Sequence, residues 1–179
     1  MKYVFSVIGM LCLFSAAHCH KYTWYIWLVL SLLASFYFFS GQLYCQFIFS
    51  LLCGIICILA IWEWSHDSFE NITKVTWGNP VAGFILALAL FGAIYLAGRQ
   101  YFSKPLFECM GCSSMLIGLL YLWKRKVSSW MLIGYSAIMF IISSLIINDV
   151  FYVIIALSGL VYSFYGLRKY MEYYEQKLN

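Results

Sequence analysis

Of the chain's 179 residues, 64 % are hydrophobic and 21 % aromatic, while only 10 % carry charge. No single small core can hide that much apolar surface from water, so a water-soluble domain is excluded and lipid is the expected solvent. The net charge of +4 is spread over loop ends, which excludes a nucleic-acid footprint and reads as a topology signal.

The apolar stretches run on without polar alternation, which favours helices over a barrel. The first stretch, Tyr3–Ala17, follows Lys2 and ends in Ser15-Ala16-Ala17, much as a secretory signal does. Cleavage would remove the partner of a helix found later, so we read it as a retained first span. Trp24–Ser40 is the second span and Leu43–Trp64 the third, joined by a tight Gly41-Gln42 turn. The third is the most telling, because its uncharged run from Leu43 to Ile61 meets Trp62-Glu63-Trp64, a carboxylate between two indoles.

Residues 65–79 form the longest polar loop, with a glycosylation sequon at Asn71-Ile72-Thr73. Pro80 opens a fourth span over Val81–Gly98, and Pro105 a fifth that ends at Trp123 before Lys124-Arg125-Lys126. Trp130–Ile147 is the sixth span, and after Asn148-Asp149 the seventh, Val150–Leu167, leads to a charged, Tyr-rich tail.

Seven spans sort the loops onto two sides. Lys2, Arg99 and Lys104 lie with the N-terminus; Lys21, Lys74, Lys124, Arg125, Lys126, Arg168, Lys169 and Lys177 lie opposite. The positive-inside rule then puts the N-terminus outside, the C-terminus in the cytoplasm and the sequon inside, where it is not glycosylated. Removing the first span would leave the others oriented the same way.

Seven cysteines scattered through apolar spans argue against a disulfide framework. Cys109-Met110-Gly111-Cys112 has redox or zinc spacing but no second pair, and reads as small packing residues. His18-Cys19-His20 is too slight to hold a metal, so no metal and no cofactor are expected. No nucleophile–base pair and no phosphate loop is visible, so the chain is not expected to be an enzyme.

Sliding the chain on itself by 106 residues brings Trp24 onto Trp130, Gln42 onto Asn148, Ala60 onto Gly166 and Trp64 onto Tyr170. The expected fold is all-α and integral to the membrane: seven transmembrane helices as 3+1+3 parallel repeats. The first three-helix unit would cover residues 1–65, the loop and linking helix 66–104, the second unit 105–170 and the tail 171–179. Such repeats place substrate at their interface, near mid-membrane.

Three stretches carry a family resemblance. Pro105, Glu108, the basic triplet Lys124-Arg125-Lys126 and Trp130 form one; Gln42-Leu43-Tyr44 with Ala60-Ile61-Trp62-Glu63-Trp64 the second; Gly166-Leu167-Arg168-Lys169-Tyr170 the third. In this order and spacing the chain resembles the PnuC family of vitamin-precursor transporters, whose fold is related to the SWEET sugar transporters. The sequence departs from the family pattern at Leu119, Ser129, Ile61, Tyr170 and Ser50.

The resemblance implies facilitated uptake of nicotinamide riboside or a similar heteroaromatic vitamin across a bacterial inner membrane, with intracellular phosphorylation trapping the cargo. It also implies a homo-oligomer, trimers being common in the family, with the lipid bilayer and a vitamin or nucleoside as partners and no nucleic acid. A thiamine carrier and a non-transporting accessory subunit are the alternatives. A flat heteroaromatic cargo needs ring faces, and a cationic one gains cation–π attraction. The expected substrate-binding residues are Trp62, Glu63, Trp64, Ser113, Ser129, Trp130, Tyr162 and Tyr165, with Glu63 offsetting a cationic ring and the serines meeting sugar hydroxyls. The rings can also pack or anchor at the interface, and the serines can be small packing residues.

Overall fold

The computed structural model of the protein describes residues 2–18, 20, 22–40, 44–66, 75–98, 100 and 105–178. The Gly41-Gln42 turn, the sequon, Cys19, Lys21, Lys74, Arg99 and Lys104 lie outside the described residues. Among the described residues there are seven helices: α1 (Lys2–Ala17), α2 (Tyr22–Ser40), α3 (Tyr44–Ser65), α4 (Pro80–Gly98), α5 (Pro105–Trp123), α6 (Ser129–Ile146) and α7 (Val150–Leu178). Phe47–Ser65, Leu106–Trp123 and Ser129–Ile146 are each long and apolar enough to cross a bilayer; Tyr22–Tyr37 and Pro80–Leu96 are shorter apolar helices.

Local chemistry sets the helix boundaries. Asn79 caps α4, its Oδ1 accepting the Ala82 amide at 3.2 Å, while Pro80 occupies the first helical position, where no N–H is needed. Between α6 and α7 the chain reverses at Asn148, whose φ of 56° is the left-handed conformation asparagine tolerates. Asp149 then caps α7 by accepting the Tyr152 amide at 3.1 Å. The expected tail does not leave the helix: α7 runs on to Leu178. Glu172 takes Nε of Arg168 at 3.3 Å and Nζ of Lys169 at 2.8 Å, and these one-turn pairs support the extension. Tyr173 and Tyr174 also pack against the main core there.

Six helices close a ring in the order α1, α2, α3, α5, α6, α7, with α7 meeting α1 again, while α4 packs on α5 and α6. The 106-residue shift lays α1 on α5, α2 on α6 and α3 on α7. It also carries the α3–α5 seam onto the α7–α1 seam, as a two-fold along the membrane normal requires. The units therefore point the same way, and α4 provides the extra crossing that makes this possible.

The repeat extends to packing. Trp24 meets Trp64 edge-on, with centroids 5.5 Å apart and planes at 82°; Trp130 meets Tyr170 at 5.5 Å and 73°. A Cβ on Gly54 would lie 3.9 Å from Leu28, and one on Gly134 would lie 3.9 Å from Leu160. Under the shift Leu28 falls on Gly134 and Gly54 on Leu160, so the large and small partners have exchanged helices. At Gly166 a Cβ would sit 2.4 Å from the Trp130 ring, so only glycine lets the indole lie flat on α7. One core runs through both units, taking in Cys12 and Ala16 of α1, Cys53 and Ala60 of α3, and Leu116 and Leu119 of α5.

Outward rows repeat too. Ile48, Ile55, Ile58 and Trp62 of α3 are exposed, as are Ile154, Val161, Phe164 and Arg168 of α7 in register with them. In a bilayer such rows face lipid.

Candidate site where the two units meet

The strongest polar chemistry gathers at the end of the ring that carries Lys124, Arg125 and Lys126. There the loop before α4 is clipped to the α5–α6 turn: the Thr76 amide donates to the Arg125 carbonyl at 3.0 Å, and the Val127 amide to the Thr76 carbonyl at 2.8 Å. Gly78 permits this approach with a φ of 73°, and a Cβ there would lie 2.6 Å from Ser128 Oγ. Val75 and Val127 are buried beneath the clip.

At the α3–α5 seam, Lys124 Nζ donates to Glu63 Oε2 at 2.8 Å, with 48 % and 32 % of the respective side chains exposed. One residue on, the buried Trp64 indole donates from Nε1 to the Trp123 carbonyl at 2.9 Å, and the Arg125 guanidinium lies 5.3 Å from the Trp64 ring centre. At the α7–α1 seam, Tyr165 Oη and His18 Nε2 are 2.9 Å apart, and His18 Nδ1 faces the Phe14 carbonyl at 3.0 Å. Phe14 stacks on Tyr165 at 5.7 Å and meets Tyr162 edge-on at 6.0 Å. The buried Tyr170 hydroxyl donates to the Ala16 carbonyl at 3.4 Å.

Glu63, Trp64, Tyr162 and Tyr165 of the expected set thus lie at the seams. Ser129 and Trp130 are buried inside the second unit. Neither Ser129 Oγ nor Trp130 Nε1 has a hydrogen-bond partner, and the same holds for Nε1 of Trp24. A buried donor left unanswered costs about 1–3 kcal/mol, so repeat-related Trp24 and Trp130 hold two costly, unspent N–H groups. Ser113 stands elsewhere: its hydroxyl donates to the Met110 carbonyl at 3.0 Å, and it lines a cavity of about 120 Å³ with Phe84, Ala87, Leu88, Ser114 and Tyr135 of α4, α5 and α6. Trp62 does not join the others; it is 70 % exposed on the lipid-facing row of α3 and edges against His66 at 6.0 Å.

Trp24, His18 and Lys124 are further candidates at the meeting zone, absent from the expected set. The signal for all three was in the repeat, because Trp24 falls on Trp130 and His18 on Lys124.

Two like-oriented three-helix units joined by one linking helix, with rings and polar pairs where they meet, define a class of small membrane transporter. The crystal structure of the vitamin B3 transporter PnuC has this fold, with a TM-score of 0.72 at 14 % identity, covering 97 % of this chain and 81 % of that one. None of the curated proteins compared with the chain is significantly similar to it. The family described as nicotinamide mononucleotide transporter matches residues 1–173, and the chain belongs to that family. It is an integral membrane transporter.

Proposed function

We propose that the chain carries nicotinamide riboside, or a closely similar heteroaromatic vitamin, inward by facilitated diffusion between its two three-helix units. The match of the transporter family over residues 1–173 carries this reading. The family's cargo joins a pyridine ring to a sugar, and the meeting zone offers the complementary groups. Trp64, Tyr162 and Tyr165 supply faces, and Ser129 Oγ with the indole N–H of Trp24 and Trp130 supplies unspent donors for hydroxyl or carboxamide oxygens. Glu63, once released from Lys124, supplies a counter-charge for a pyridinium. Ser113 would act only through the separate α4–α5–α6 cavity.

The basic loops orient the protein in a bacterial inner membrane with its N-terminus outside and its C-terminus in the cytoplasm. The broad exposed apolar rows leave room for a homo-oligomer. No covalent change to the cargo is part of the scheme.

Uptake of labelled nicotinamide riboside into vesicles holding the purified protein tests the reading. Saturable uptake is expected, with KM raised roughly three- to tenfold in Trp130→Phe, which keeps a ring and removes the N–H donor. Failure of every nicotinamide- or thiazolium-type vitamin to enter, from correctly inserted protein, overturns it.

A further inference from the structure

The repeat pairs more than rings. His18 falls on Lys124 under the 106-residue shift, and each reaches across a seam between units: Lys124 from α5 to Glu63 of α3, His18 from the end of α1 to Tyr165 of α7. Only the reaching ends correspond, since Glu63 falls on Lys169 and Tyr165 on Leu59; each bond is backed by a second one, made by the repeat-related pair Trp64 and Tyr170. Trp64 reaches the final carbonyl of α5, and Tyr170 reaches a carbonyl in the last turn of α1. Both seams are therefore fastened at the same end of the molecule by the same two-point plan, in different chemistry.

We propose that Glu63–Lys124 and His18–Tyr165 are twin latches that hold the units together at the Lys124 end, and that both release when cargo passes there. This rests on the transport reading and names the residues that control it. The bonds suit release. The Glu63–Lys124 pair is partly wet, so water replaces it at little cost, and such pairs add little to stability. The Tyr165–His18 contact is a single hydrogen bond at a part-buried edge, and one such bond adds only about 1 kcal/mol net. A permanent clasp would be expected to be dry and apolar. Weak paired bonds instead set a two-state balance that a ligand can tip by its difference in affinity.

Native thiols report the outcome. Cys12 of α1 and Cys53 and Cys57 of α3 are buried in the core shared by the units. The test uses the full chain carrying Cys19→Ser and Cys45→Ser, in vesicles of both orientations, with a membrane-impermeant thiol reagent and mass-spectrometric readout of the labelled residue. Reagent applied at the Lys124 end should label these thiols about threefold faster in Glu63→Gln or Tyr165→Phe, and about tenfold faster in the double variant. Labelling from the opposite end should stay constant or slow. Charge exchange by Glu63→Lys with Lys124→Glu should restore slow labelling.

A double variant that labels at the parent rate overturns the proposal, as does equal acceleration from both ends, which is general loosening. Fast labelling of the charge-exchanged protein at an unchanged melting temperature overturns the ionic latch. Vitamin uptake is followed in the same vesicles. Its absence from the parent overturns the transport reading, while the labelling still decides the latches.

Discussion

The first and second three-helix units reach the same geometry with different residues. An edge-on aromatic pair at 5.5 Å fastens the second and third helices of each unit, but it is Trp24–Trp64 in one and Trp130–Tyr170 in the other. A glycine stands on α3 in the first unit and on α6 in the second, within van der Waals reach of a leucine in both. The seams differ more: an ion pair closes α3–α5, and a phenol–imidazole hydrogen bond closes α7–α1. What is kept is the geometry of the ring pair and a breakable bond at the same end of each seam; side-chain identity differs within those limits.

The comparison breaks most sharply at Gly166 and its counterpart Ala60. Gly166→Ala places a methyl 2.4 Å from a buried indole, and overpacking of this kind costs about 1–3 kcal/mol. We expect a clear fall in melting temperature for Gly166→Ala in lipid nanodiscs and a smaller one for Ala60→Gly, about 1 kcal/mol from helix propensity. Equal effects would show that the second unit can accept the first unit's packing.

A milder contrast separates the aromatic-to-carbonyl bonds. Trp64→Phe loses a 2.9 Å bond between units and should cost about 1 kcal/mol beyond the change in packing, whereas Tyr170→Phe loses one of only 3.4 Å and should cost under about 0.5 kcal/mol. Denaturant-induced unfolding of both variants measures the difference, and a costlier Tyr170→Phe would reverse the ranking of the seams.

The smallest expected effect is at the α7 extension, beyond the register position where α3 ends. Hydrogen bonding from Lys169 holds the Glu172 carboxyl below its ordinary value, and the bond to Glu172 holds the Lys169 ammonium above its own. A depressed carboxyl stabilises above its unfolded pKa and loses that support as pH falls through the lowered folded value. A raised ammonium stabilises below its unfolded pKa and loses that support as pH rises through the raised folded value. Hydrogen-exchange protection factors over residues 171–178, which divide out the intrinsic pH dependence of exchange, should therefore be highest near neutral pH and fall at both acidic and strongly alkaline pH. Glu172→Gln should remove the acidic limb.

Much of this fold was legible in the sequence because lipid imposes one solution on a long apolar run, and because the landmarks at span ends recur at a fixed interval. Pro80, Asn148-Asp149 and the basic triplet marked boundaries that the helices respect. The site was less legible, since periodicity tells which residues share a face but not whether that face meets lipid or a neighbouring helix. Trp62 and Trp64 stand two residues apart, and one lies outward while the other is buried between units. Glu63 between them carried a clear signal of polar purpose, but its partner lay 61 residues away. The helical tail was missed because its support comes from Arg168, Lys169 and Glu172 one turn apart, not from apolar pattern.

The central claim is that cargo passes where the two units meet, and that the α3–α5 seam opens to let it through. Cysteines placed at Glu63 and Lys124 and joined by a short reducible cross-linker test it most directly, with nicotinamide riboside uptake measured before and after reduction. The account predicts that uptake stops while the link is in place and returns when it is cut. Undiminished uptake by the fully cross-linked protein would contradict it.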